Sequence, residues 1–149
     1  SRPPLPWDSH ALNKLHPRVY LQFELGRVVM ELDYINCSVT SRFFLALMKK
    51  RDSGEHSFDL SVCMRRGDMY ILSCNQAIDL PATTDRVMKR NTDHTWGLKW
   101  NSVHTGRTVF RLTTNNQRDG FIGWVVEGEN ILTVDNSIPN RFKDYGVVV

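Results

Sequence analysis

The sequence predicts a mostly β domain, a barrel or a sandwich carrying one substantial helix. Three observations lead there. Short runs with period-two alternation recur from Val19 to the end of the chain. A single segment, 39–50, switches to helical period. The composition, 41% hydrophobic and 23% charged over 149 residues, fits one globular domain with its own core.

Residues 1–18 hold four of the six prolines, at positions 3, 4, 6 and 17, and have no period, which predicts an extended N-terminal arm. Trp7 in that arm is expected to pack back on the domain. The domain itself is expected to span 19–149. Val19, Leu21, Phe23 and Leu25 alternate with Tyr20, Gln22 and Glu24, and Val28, Met30 and Leu32 alternate with Val29, Glu31 and Asp33. An antiparallel pair with its connection at Gly26-Arg27 follows.

Val39, Phe43, Phe44 and Leu47 form one apolar helical face, with Ser38 or Thr40 available as cap and Gly54 as terminator. Lys49-Lys50-Arg51 at the end of this helix complement its dipole. Further strands are expected at 58–64, 69–74, 95–103, 108–113, 121–126 and 145–149, with a long polar loop over 75–93.

Several function classes are excluded by what the chain lacks. Its apolar runs are far shorter than the ~20 residues of a membrane helix, so no membrane association is expected. Cys37, Cys63 and Cys74 are odd in number and lack C-x-x-C spacing. That pattern argues against a disulfide framework or a zinc site and favours an intracellular compartment, cytoplasmic or nuclear. The histidines are dispersed, so neither a metal site nor a cofactor is expected. No nucleophile elbow, phosphate loop or dinucleotide fingerprint is present.

Two patches resemble the cyclophilins, peptidyl-prolyl isomerases built on a closed eight-stranded antiparallel barrel capped by two helices. The first is Gly26-Arg27-Val28-Val29-Met30-Glu31-Leu32 followed by the segment Val39 to Leu47, similar to the family's G-R-x-x-x-E-L strand and V-P-x-T-x-x-N-F-x-x-L helix. The second runs from Gly106-Arg107-Thr108-Val109-Phe110 to Phe121-Ile122-Gly123-Trp124-Val125-Val126-Glu127-Gly128-Glu129-Asn130-Ile131 and contains V-x-E-G-x-x-I, the more specific motif. Phe58 and Met64-Arg65-Arg66-Gly67-Asp68 fall where the family has its F-H-R strand and M-x-Q-G-G-D segment. The resemblance implies an eight-stranded barrel over 19–149 with one clear helix and a second one shortened or absent.

The same resemblance implies a dismantled isomerase site. Lowering an amide rotational barrier near ~20 kcal/mol requires a donor aimed at the twisting nitrogen. Leu60 stands where the family has its arginine, Thr108 where it has a glutamine, and Trp100-Asn101-Ser102-Val103 replaces M-A-N-A. The stretch between Thr113 and Phe121 is too short for the family's W-L-D-G-K-H segment. The expected function is therefore a catalytically inactive protein-interaction module, part of a larger multidomain protein, binding a protein or peptide. Its remodelled groove would comprise Leu60, Met64, Arg65, Trp100, Ser102, Thr108 and Phe110.

Two alternatives follow from the arginines. One is a weak isomerase using Arg65 or Arg66. The other is RNA binding through Arg65, Arg66, Arg107 and Arg111, against which the net charge of only +3 speaks. Trp96 and Trp124 are further aromatics of interest, Trp124 being expected in the core.

Overall fold

The computed structural model describes residues 16–52, 54, 59–79, 83, 96–104, 106–115 and 120–148, and within them the side chains other than those of 52, 61, 62 and 102–104. The expectations for Trp7 and the arm up to 15, for Phe58, for most of the 75–93 loop and for 116–119 lie outside these residues.

Among the described residues, eight antiparallel strands and two helices make up the fold. They are β1 (Arg18–Phe23), β2 (Gly26–Leu32), α1 (Ser38–Asp52), β3 (Leu60–Arg66), β4 (Met69–Cys74), β5 (Gly97–His104), β6 (Arg107–Thr113), β7 (Phe121–Glu127), α2 (Glu129–Leu132) and β8 (Phe142–Val147). Their order in the sheet is β3-β4-β6-β5-β7-β2-β1-β8. The two end strands meet at a seam that nearly closes the barrel. There the Tyr145 hydroxyl accepts a hydrogen bond from the Leu60 N–H (3.3 Å) and donates one to Asp59 Oδ1 (3.0 Å). A side chain thus supplies, across the seam, the polar contact that a backbone ladder supplies elsewhere.

The larger of two core clusters fills the interior. Val19, Leu21, Phe23, Met30 and Leu32 from β1 and β2 meet Tyr70, Leu72, Leu98, Phe110 and Leu112 from β4, β5 and β6, with Phe44 and Met48 of α1 plugging one side. Every second residue of β4 is buried, as period two requires. Trp96 belongs to this cluster, whereas Trp124 is buried in a smaller one with Phe121 and Cys37. Among the described residues no helix is long and apolar enough to cross a membrane. α2, with four residues, is the shortened second helix.

Three local expectations are corrected. Phe23 pairs with Gly26, so the β1–β2 turn is Glu24-Leu25 and Gly26 opens β2. Alternation alone carried the strand too far, because Leu25 is apolar yet exposed at the turn, where its N–H bonds to Asn140 Oδ1. α1 buries Thr40, Ser41, Phe44, Leu45, Leu47 and Met48, while Val39 is exposed. The face is rotated because two hydroxyls are satisfied inside it: Thr40 donates to the Phe121 carbonyl and Ser41 to the carbonyls of Cys37 (2.6 Å) and Asp33 (3.2 Å). Finally, β3 continues through Arg66, which pairs with Met69 across the Gly67-Asp68 turn.

The motifs that carry the resemblance meet in space. A Cβ on Gly123 would land on the carbonyl oxygen of Glu31, next to Leu32, its partner in the β2–β7 pair. Gly128, at φ 83°, leads into α2 with its Cα against the Arg27 carbonyl. Only glycine allows both approaches. Gly123→Ala is expected to destabilise the fold by about 1–3 kcal/mol through overpacking against backbone that cannot move aside, read as a lower urea midpoint; an unchanged midpoint would show that β2 and β7 are not held this close.

Candidate functional site

The side chains expected to share a groove divide between the two surfaces of one sheet. Phe110, 1% exposed, turns into the barrel and stands edge-on to Phe44 of α1, with ring centroids 5.2 Å apart. Leu60 is also buried in the core, at the seam, with its N–H on the Tyr145 hydroxyl. Trp100, paired with Phe110, is half-buried against the same cluster. Thr108 is fully buried: its hydroxyl accepts from the Ile78 N–H (2.8 Å) and donates to the Ile78 carbonyl (3.3 Å). The Thr108 N–H bonds to the Gln76 carbonyl as well, so this residue clamps the segment after β4 onto β6.

Of the remaining three, Met64 lies on the outer surface and is 50% exposed. Ser102 pairs through its backbone with Val109, after a bulge that follows Trp100. Arg65 is folded over the inner side of its own hairpin, donating from Nε to the Gly67 carbonyl (2.9 Å) with its guanidinium 5.0 Å from the Tyr70 ring centroid. Asp135, in the segment after α2, has its carboxyl held below the ordinary range mainly by its hydrogen bonds from Ser137, with Arg65 adding a smaller pull. Arg66 is exposed beside the turn. Met64 to Asp68 therefore form the end of β3 and the turn into β4.

The outer surface of β3, β4, β6 and β5 is read from the register. Met64 pairs with Ile71, Ile71 with Arg111, and Arg111 with Lys99, giving one row across four strands. Arg66, Met69 and Thr113 form the next row. Residues in register share a face, and the alternate row Arg65, Tyr70, Leu112 and Leu98 faces the core. Ile71, Lys99 and Val109 were not singled out from the sequence, and Arg111 only as one of four arginines in the nucleic-acid alternative. Their signal was present in the alternation Thr108, Phe110, Leu112 against Val109, Arg111, Thr113. It was hidden because the outer residues are half apolar and two of them are buried.

The row runs from the apolar Met64 and Ile71 to the half-buried cation of Arg111 and ends on Lys99, which is buried. Arg111 has a buried Nε without a hydrogen-bond partner. Lys99 is 5% exposed. No group of three or more histidine, cysteine or acidic side chains suited to a metal occurs among the described residues. Burial pushes the Cys63 and Cys74 thiols up to about 12, so neither is a thiolate near neutral pH.

No family model and no curated protein sequence matches the chain. Its fold does match solved structures. One is the cyclophilin-type peptidyl-prolyl cis-trans isomerase of Cryptosporidium parvum, at 16% identity and TM-score 0.57, covering 90% of this chain and 98% of that one. The same isomerase in the presence of the dipeptide Ala-Pro gives 16% identity and TM-score 0.58, covering 89% and 99%. The Mimivirus cyclophilin gives 13% identity and TM-score 0.58, covering 90% of each chain. The chain has the cyclophilin fold.

The seam makes a pH prediction. Burial pushes the Tyr145 phenol up to about 12; the Leu60 N–H and Arg51 oppose that shift, and Asp59, by hydrogen bond and charge, adds to it. An acid whose folded pKa lies above its unfolded value stabilises the fold below the unfolded value, and that contribution is lost as pH rises through the folded one. Cys63 and Cys74 act in the same direction from about 9. The urea midpoint should hold to about pH 9 and fall between there and 12, with Tyr145→Phe falling less steeply above about 10. Identical slopes for the two proteins would remove Tyr145 from the seam.

Proposed function

We propose that this chain is a binding module on a cyclophilin fold, without isomerase turnover, and that it takes a protein or peptide on the outer surface of β3, β4, β6 and β5. The observation carrying this reading is the structural employment of the positions that the family resemblance assigns to the pocket. Leu60 closes the seam, Thr108 clamps the chain at Ile78, and Phe110 packs on Phe44. A side chain held inside a barrel in this way is not free to grip a substrate on the outside. Of the residues expected in a groove, Met64 remains on the open surface, now beside Ile71 and Arg111.

Turnover through Arg65 is disfavoured by its geometry. Isomerisation needs a donor aimed at the amide nitrogen in the twisted state, and Arg65 already spends its Nε on the Gly67 carbonyl and lies over Tyr70. Arg66 sits exposed beside a turn, without a wall to exclude water. The fold shared with solved isomerases speaks for the scaffold alone, since one fold hosts many functions.

Exchange NMR on a short Ala-Pro peptide decides the catalytic half. The chain is expected to leave the cis–trans exchange rate at its uncatalysed value. Acceleration that disappears in Arg65→Gln or Arg66→Gln would replace this reading with that of a weak isomerase.

A further inference from the structure

The four strands of the candidate face carry charge of one sign. Arg66 on β3 and Arg107 on β6 are exposed and Arg111 on β6 is half-buried, while Arg65 turns inward over Tyr70 and Lys99 on β5 is buried. No aspartate or glutamate falls on β3, β4, β5 or β6. The opposite half of the barrel is mixed and internally paired. Arg18 bonds to Glu31 (2.8 Å), α1 ties to β8 through Arg51 and Asp144 (3.1 Å), and Lys143 approaches Glu24 (3.9 Å). A modest net charge of +3 thus conceals a polarised molecule.

Arg111 is the focus of that polarity. It sits in the outer row between Ile71 and Lys99, half-buried, with its Nε out of water and without a hydrogen-bond partner. A guanidinium nitrogen withdrawn from water without a partner is costly, and a carboxylate that approached the half-buried Arg111 would add a charge-assisted contact to the group. Along the same row, half-buried Ile71 and exposed Met64 supply apolar surface about the width of one strand spacing apart, suited to the alternate side chains of an extended peptide.

From this juxtaposition we propose that the outer face of β3, β4, β6 and β5 selects acidic peptide segments, a glutamate or aspartate carboxylate docking on Arg111 and a neighbouring apolar residue on Met64 and Ile71. The inference rests on the reading of this face as a peptide-binding surface and adds the class of ligand. A nucleic acid offers the same negative charge. It fits less well because the row contains methionine and isoleucine where single-stranded recognition uses exposed aromatic platforms.

The test titrates the 15N-labelled chain with three probes: a short peptide repeating glutamate, serine and leucine, its glutamine counterpart, and a single-stranded oligouridine. The glutamate peptide is expected to shift the amides of Met64, Ile71 and Arg111 and to bind roughly tenfold more tightly than the glutamine peptide, with Arg111→Gln erasing that difference. Arg111→Lys, which keeps the charge and loses the fork, is expected to retain part of it. The wild-type shift map and the ratio between the two peptides decide the question even where a variant unfolds. Equal binding of both peptides on this face overturns the acidic class and leaves the binding module standing. Failure of both peptides to shift these amides overturns both readings, as does oligouridine binding at this face in their place.

Discussion

The close packing of β2 against β7 and the start of α2 is the constraint on which the rest of the barrel depends. β2 has β1 on one side and β7 on the other, so an error in its position would propagate around the sheet. Gly123 lies over the Glu31 carbonyl and Gly128 over the Arg27 carbonyl, with Ile131 against Gly26. The first two bring backbone to backbone at distances that no side chain allows, and the third seats the Ile131 side chain on Gly26. They also explain why G-R and V-x-E-G-x-x-I are the legible remnants of the family pattern: each motif is the other's packing partner.

From that anchor the sheet runs in both directions to the β3–β8 seam, and the demands of closing it account for what became of the resembled pocket. Leu60 stands where the resemblance implies an arginine, and its side chain is buried in the core at the seam. A long cation at that buried position would have to be desolvated without a partner. Thr108 similarly uses its one hydroxyl on both polar groups of Ile78. Both positions serve the integrity of the barrel.

Much of the fold was legible in the sequence because strand alternation and helical period are direct consequences of burial. All eight strands lie where alternating runs were read, within a few residues. The errors fall where a polar group is buried or an apolar one exposed. Thr40 and Ser41 occupy the inner face of α1, and Leu25 tips a turn. The site was less legible. Matching letters to the family pattern assigned Phe110 and Leu60 to a surface groove, whereas registry across β4, β5 and β6 decides which face each residue takes. A shift of one residue reverses the face, and pattern matching at low identity does not resolve it. Arg111 was noticed only as one of several arginines, since nothing in the sequence alone shows that it is withdrawn from water without a partner.

The face taken by Phe110 is the point on which the whole account turns, and the cross-ring nuclear Overhauser effect between Phe110 and Phe44 measures it directly. With centroids 5.2 Å apart, the account predicts strong contacts between these two rings, and none between Phe110 and the side chains of Met64 or Arg111. Contacts of Phe110 with Met64 and Arg111, and none with Phe44, would turn β6 over and restore the groove that the family resemblance implies.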